Sequence, residues 1–362
     1  MGLLSFFRRR AEKPRGLTVE LTSHCGYDCA PCPLNFYTEP VKRQHAPAER
    51  LRKVMEELAP LDVVDFTGWG EGLLHPDLMD LVSCAARCSK ETTLTTAGSL
   101  LSEKLSKGLI GAGLSYLMVS LDCSTPETYR QLKHKDEFGL IVSNVEKFLR
   151  LRGKSGKTRL SLSFVVMREN LAEAVSFAEL SGKLGADQIV FKTVVPFARE
   201  ELERSVDSAY YSGLPELASR AREEIAKATQ VALAAGVEVA RFGDFEKGTR
   251  HRCMAYAEER PYLRADGAVA PCCMGAYPVQ RVSSSGEARP LAPAVFGNLE
   301  NSGFGEIWQS PAYEELRRGL RDFSKPLPDL CRDCPICHNF ALSVETPVTT
   351  SKIRRSPKAP AP

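Results

Sequence analysis

Three cysteines, Cys25, Cys29 and Cys32, fall within the stretch Thr22-Ser-His-Cys-Gly-Tyr-Asp-Cys-Ala-Pro-Cys-Pro33. Thiolates at C-x3-C-x2-C spacing, directly behind an apolar run at residues 17–21, can converge on one metal centre. On a 4Fe–4S cluster, three protein thiolates leave one iron open to an outside ligand. The chemistry this points to is reductive activation of a bound cofactor rather than electron storage. Zinc is the competing reading. A structural zinc takes four ligands and His24 adjoins Cys25, but neighbours on an extended segment point to opposite faces.

A second set of thiols lies far along the chain. Cys253 is followed by Gly267 and Cys272, and later by Cys331-Arg-Asp-Cys334-Pro-Ile-Cys337. Residues 264–272 read as a hairpin, because Asp266-Gly267 is a turn signal between β-compatible flanks. The turn brings Cys272 back toward Cys253. Hairpin cysteines that meet a remote C-x2-C make a four-thiolate site for zinc or an iron–sulfur cluster, and spacing alone does not separate the two. Cys273 points away from Cys272 if that segment stays extended.

The elements that must position these thiols alternate along the first half of the chain. Short β-type runs at residues 17–21, 63–66, 92–95, 116–121, 160–166 and 188–193 are separated by helical patterns at 48–58, 78–88, 102–110 and 138–151, with another at 171–184. Strands separated by helices predict right-handed βαβ units and a parallel sheet. Six units are too few for the closed eight-stranded barrel, so the expected fold is α/β, a partial (β/α)6 barrel with a small cysteine-rich C-terminal extension. Active sites of such barrels lie at the carboxyl ends of the strands, which is where the first three cysteines stand. The expected division is a basic N-terminal segment at 1–16, the barrel at 17–196, a linker and bridging helix at 197–249, the extension at 250–340 and a disordered tail at 341–362.

Composition narrows the class. The chain has 362 residues, 43% hydrophobic and 26% charged, as in ordinary globular proteins. A net charge of +3 gives no reason to expect nucleic acid. No apolar run reaches the roughly 18–20 residues that span a bilayer, and the first ten residues place apolar groups before arginines, the reverse of a secretory signal. The 12 cysteines, mostly in tight groups, read as metal ligands in a reducing cytoplasm rather than as disulfides.

The cysteine motif behind the first strand of a partial barrel resembles the radical S-adenosylmethionine (radical SAM) superfamily, over residues 17–195. The resemblance implies that Cys25, Cys29 and Cys32 hold a 4Fe–4S cluster whose open iron binds the cofactor. It also implies reductive cleavage to a 5′-deoxyadenosyl radical, which abstracts a hydrogen atom from the substrate. An electron donor such as flavodoxin or ferredoxin is implied as well. The segment Phe66-Thr-Gly-Trp-Gly-Glu-Gly resembles the family's Gly-Gly-Glu-Pro motif, with Trp69 at the first glycine position and Gly72 in place of proline. This puts Gly68, Gly70 and Glu71 beside the methionine end of the cofactor, the glycines allowing close backbone approach and Glu71 accepting from the ammonium. Ser120-Leu-Asp122 resembles a segment that contacts the ribose or the substrate; as a plainer alternative, Asp122 caps the helix that begins near Pro126. Pro31 replaces an aromatic residue usual before the third cysteine, and Ala97 replaces an asparagine.

Residues 250–340 resemble the SPASM/Twitch extension of the same superfamily, through Cys253, Gly267, Cys272, Val295-Phe-Gly-Asn-Leu, Trp308 and the last cysteines. This implies one or two auxiliary 4Fe–4S clusters; because the chain has fewer cysteines after the C-x2-C than a full SPASM domain, the expectation is one cluster on Cys253, Cys272, Cys331 and Cys334, with Cys337 competing for one of the last two places. Cys123 is the candidate catalytic thiol, since some radical enzymes return a hydrogen atom from cysteine; a small buried residue is the alternative. Cys84 and Cys88 read as buried on a helix face. Lys192, ending the sixth strand, reads equally as a charged cavity residue or a snorkelling stem. The expected substrate is a small polar molecule or a peptide. The alternatives are a maturase that crosslinks or modifies a protein partner and, in another class, a structural zinc-binding scaffold.

Overall fold

The computed structural model describes residues 13–154, 156–195, 203–204, 206, 215–242, 253, 255–282, 287–331, 334 and 342–345. The barrel begins with β1 (Gly16–Val19), α1 (Ala48–Leu58), β2 (Leu61–Phe66), α2 (Leu78–Cys88), β3 (Ser89–Thr96), α3 (Glu103–Gly111) and β4 (Tyr116–Ser120). It continues through α4 (Pro126–Lys133), α5 (Phe138–Arg152), β5 (Arg159–Val166), α6 (Ala174–Leu184), β6 (Gln188–Thr193), α7 (Pro215–Ala234) and β7 (Glu238–Phe242). The extension adds β8 (Tyr262–Leu263), β9 (Ala268–Ala270), β10 (Val279–Val282), β11 (Ala288–Leu291), β12 (Gly297–Asn298), α8 (Phe304–Trp308), α9 (Pro311–Arg321) and β13 (Leu342–Glu345).

Among the described residues, eleven strands form one sheet in the order β12-β9-β8-β1-β2-β3-β4-β5-β6-β7-β13. β1 through β7 run parallel. The sheet stays open between β12 and β13, as a partial barrel should. Alternation along the strands gives the sheet two different faces. Leu160, Leu162, Phe164 and Val166 of β5 are fully buried in the core shared with the helices. Ser161 and Ser163 stand on the opposite face, together with Met118 and Ser120 of β4 by register. One face is therefore apolar and helix-covered, while the other is a polar lumen. Burying each outward side chain contributes about 1.5–3 kcal/mol.

Two parts of the expected layout change. Residues 238–242, given to a linker, form β7 and extend the parallel sheet beside β6. Residues 342–345, given to a disordered tail, form β13, which pairs antiparallel with β7. Most of the N-terminal segment, the rest of the tail and Cys337 lie outside the described residues. The predicted hairpin is present. Gly267 takes φ +87, a left-handed turn position suited to glycine, and Tyr262 and Leu263 pair antiparallel with Ala270 and Val269. β8 also pairs in parallel with β1, so the extension continues the barrel's own sheet.

Candidate active site

β1 delivers the cysteine loop to the carboxyl end of the sheet. Thr22 bridges His45, and Ser23 N donates to Gln44 O at 3.0 Å, which closes the loop at its base. Cys29 O accepts from Cys32 N at 3.0 Å and from Asn35 Nδ2 at 2.9 Å. Ala30 N donates to Leu132 O at 2.9 Å, so the loop rests on the last turn of α4. Cys25, Cys29 and Cys32 are partly exposed. Burial raises all three thiols above the ordinary cysteine value, Cys32 to about 12, and nearby thiols raise Cys29 and Cys32 further. Three crowded sulfurs that resist ionisation are the donor set expected to bind a cationic cluster, since the metal replaces the protons.

The segment after β2 lies against this loop. A Cβ on Gly70 would come within 2.0 Å of Thr22 O and 2.8 Å of His24 O, and one on Gly68 within 2.7 Å of Glu20 Cγ. The glycines are thus required by close packing on the cysteine loop itself. Glu71, expected from the motif to meet the cofactor's ammonium, instead turns its carboxylate inward. It accepts from Leu73 N at 3.0 Å, Thr96 Oγ1 at 2.8 Å and Ala97 N at 2.8 Å, while Glu71 N donates to His24 O at 2.8 Å. Its carboxylate therefore ties its own turn to the segment at the end of β3, and its backbone N–H ties that turn to the cysteine loop. Burial raises its pKa.

Ser120 and Asp122 meet at the end of β4. Ser120 Oγ donates to Asp122 Oδ2 at 3.1 Å, and Val165 N donates to Asp122 Oδ1 at 2.8 Å. Asp122 forms an ion pair with Lys133, both side chains being buried; Lys133 Nζ also reaches Ser120 Oγ at 3.4 Å. Burial pulls the Lys133 pKa down, but Asp122 and Cys29 outweigh it and hold the amine above the ordinary lysine value. The cap of α4 is Thr125, whose hydroxyl accepts from Thr128 N at 3.4 Å; the plainer alternative for Asp122 does not hold. Nothing local marks Lys133 in the sequence, since its partner lies on another element. Cys123 does not present its thiol. It is 0% exposed within the core and directs Sγ at Leu121 O, 3.5 Å away, which corrects the assignment of a catalytic cysteine. Cys84 and Cys88 are buried as expected.

The extension walls the other side. Glu20 of the segment after β1 accepts from Tyr262 Oη at 3.1 Å, Ala265 N at 3.2 Å and Trp69 N at 3.4 Å, and also from Tyr277 Oη. Trp69 Nε1 donates to Cys273 O at 3.3 Å; the departure from the glycine motif is thus a strut to the extension. Tyr37 of the cysteine loop stacks on Tyr277 with ring centroids 4.9 Å apart. Beyond this wall, Cys253, Cys272, Cys331 and Cys334 line one cavity with Ala255, Pro271, Met274 and Leu330. No three Cys, His, Asp or Glu side chains among the described residues meet at single-ion spacing. The four sulfurs face a shared cavity, a donor set that fits a polynuclear cluster. Cys273 lies outside this set, on the lumen side, where Asp65 raises its thiol pKa further.

A parallel partial barrel with a three-thiol loop behind β1, and a four-thiol cavity in the extension, offers the thiol donor sets of an iron–sulfur protein. Residues 19–180 match the model of the radical SAM superfamily, and residues 253–335 match the SPASM iron–sulfur cluster-binding domain. The chain belongs to the radical SAM superfamily and carries a SPASM domain. It is similar to a probable GTP 3′,8-cyclase of Methanosarcina mazei, 30% identical over 278 residues, 72% of this chain and 78% of the relative. It is also similar to a PqqA peptide cyclase of Granulibacter bethesdensis, 26% identical over 369 residues, 96% of this chain and 88% of the relative. The crystal structure of Streptococcus suis SuiB bound to precursor peptide SuiA shares the fold, with a TM-score of 0.60 at 14% identity, over 90% of this chain and 70% of that one. Membership settles the cofactors: a 4Fe–4S cluster working with S-adenosylmethionine, and auxiliary iron–sulfur binding in the SPASM domain. No described helix is long and apolar enough to cross a membrane.

Proposed function

We propose that this enzyme abstracts a hydrogen atom from a polar substrate held in the barrel lumen, a peptide segment or a small molecule. Cys25, Cys29 and Cys32 hold the cluster that works with S-adenosylmethionine. Cys253, Cys272, Cys331 and Cys334 hold one auxiliary 4Fe–4S cluster that assists oxidation or positioning. The single observation that supports this reading is that one sheet carries the three-thiol loop behind β1 and the extension whose cavity is lined by Cys253, Cys272, Cys331 and Cys334. When bound, the cofactors supply hydrogen-atom abstraction at an unactivated position.

The chain's own residues then orient and enclose. Lys133, fixed by Asp122, sets a positive charge beside Cys29 and offsets the negative charge gathered by the thiolates. Gly68 and Gly70 let the β2 segment lie on the cysteine loop. Ser120 and Asp122 position Lys133 rather than meet the ribose directly. Trp69, Tyr37 and Tyr277 seal the lumen against the extension and exclude water. The near-full-length likeness to a peptide cyclase supports a peptide substrate, and the likeness to a GTP cyclase supports a small molecule. A cytoplasmic location and electrons from a flavodoxin or ferredoxin complete the proposal.

Reconstitution with iron and sulfide under nitrogen, followed by strong reductant and S-adenosylmethionine, tests it. Broad visible absorbance and 5′-deoxyadenosine are expected, and Cys29→Ala should abolish both the cleavage and the iron bound at that loop. Colourless protein with stoichiometric zinc would refute it, and S-adenosylhomocysteine as the product would move the chain to methyl transfer.

A further inference from the structure

The lumen contains an amine to which no role has been given. Lys192 stands near the carboxyl end of β6, in register with Val165 of β5 and Phe242 of β7. Its side chain is on the strand face opposite Ile189 and Phe191, which are in the helix-covered core. Nζ lies 3.2 Å from Met118 Sδ, a weak acceptor, and among the described residues no carboxylate contacts it. The titratable groups around it are Asp122, Asp65, Cys273 and Lys133. Both carboxylates are already engaged. Asp122 is paired with Lys133. Asp65 accepts from Thr67 Oγ1 and Thr93 Oγ1 at 2.7 Å each and faces Arg260 Nη1 at 3.6 Å.

Among the described residues, Lys133 and Arg260 offset those two carboxylates, so Lys192 supplies one positive charge in excess. A part-buried ammonium that no described carboxylate contacts is costly. A second unsatisfied group shares the lumen face: Ser161 Oγ is buried without a partner, beside Met118 in register. We propose that Lys192 anchors a carboxylate of the substrate, with the Ser161 hydroxyl on the same wall. The substrate is then a monoanionic acid or a peptide that presents an acidic side chain. A phosphate dianion fits less well, because its second charge would face Asp65 and Asp122 with no cation left to meet it. The inference rests on the proposed function, since it takes the lumen as the substrate chamber.

Binding an anion favours the charged form of a neighbouring amine, whereas burial holds Lys192 below the ordinary lysine value in the free protein. The bound carboxylate should therefore raise its pKa and slow its acylation. Competitive acetylation of the reconstituted full-length protein at mildly alkaline pH, read lysine by lysine by peptide mass spectrometry, measures this. Propionate serves as a free acid and the α-amide of N-acetylglutamate as an acidic side chain, with inorganic phosphate and S-adenosylmethionine as contrasts. A rise of one pKa unit lowers the free amine about tenfold, so a suppression of that order is expected at Lys192 with one or both carboxylates. The exposed Lys90 and Lys107 should not change. Whichever carboxylate acts at lower concentration identifies the source of the group. No suppression by either one overturns the proposal, as does stronger suppression by phosphate. Suppression by S-adenosylmethionine alone would assign Lys192 to the cofactor, and no acetylation in the free protein would show that solutes do not reach it; both overturn it. Formation of 5′-deoxyadenosine in the same preparation is read separately. Its absence alongside carboxylate protection would sink the proposed function and leave the anion site standing.

Discussion

Lys133 and Asp122 show how one pair of side chains fixes the geometry around the thiol loop. Asp122 takes φ +63, a left-handed conformation in which a residue other than glycine is uncommon, and its carboxylate is held by Ser120, Val165 and Lys133. Removing one member of a buried ion pair leaves the other uncompensated, at a cost of about 3–5 kcal/mol. Lys133→Met should lower the denaturation midpoint accordingly, with Lys133→Arg recovering part of it; an unchanged midpoint in Lys133→Met would remove the pair from the account. The pair's stabilisation is full below the ordinary lysine value of about 10.4 and is lost as pH climbs through the higher folded value. Such pairs are not legible in sequence. The cysteines were, because C-x3-C-x2-C is a local spacing, whereas the partner of Asp122 sits at the far end of α4. The orientation of Glu71 was hidden for the same reason, its partners Thr96 and Ala97 belonging to the next strand and its loop.

At the scale of elements, alternation revealed what mattered most. Short β-type runs marked β2 through β6, and helical patterns marked α1 and α2 at their observed bounds. β8, two residues long, is defined by its partners β1 and β9, and β13 by β7; tertiary pairing rather than propensity makes them strands. Glu20 clamps the segment after β1 to β8 and the rest of the extension. It has a raised pKa, first because of burial and in spite of hydrogen bonds from Tyr277, Ala265, Tyr262 and Trp69. A carboxyl with a raised folded pKa contributes fully below its unfolded value, about 4.3, and the contribution is lost as pH rises through the folded value. Glu20→Gln keeps an acceptor and cannot ionise. Its urea midpoint should therefore gain on the wild type as pH rises from about 4.3 toward neutrality. Parallel pH profiles for the two proteins would show that Glu20 does not titrate in this range.

For the whole molecule, the two thiol sets stand on different elements, the loop behind β1 and the cavity of the extension, so they should be separable by mutation. Cys272→Ala should lower bound iron by about four atoms per chain, the content of one cubane cluster. Cleavage of S-adenosylmethionine should persist while conversion of substrate stops, and full conversion by the variant would discard the auxiliary role. The overall plan of a barrel followed by a cysteine-rich extension was readable from the order of elements and the thiol spacings. The extent to which the two share a sheet was not, because the register that joins β8 to β1 leaves no periodic trace in either segment.

That shared register also governs how the chain can be divided. Peptide groups of Thr18 and Glu20 donate to Pro261 and Leu263, so a barrel severed from its extension would carry an unsaturated flank immediately before the iron-binding turn. Bare strand borders recruit other chains. Any lineage that shed the SPASM portion would need to cap that border anew, which ties the inheritance of one metal centre to that of the other.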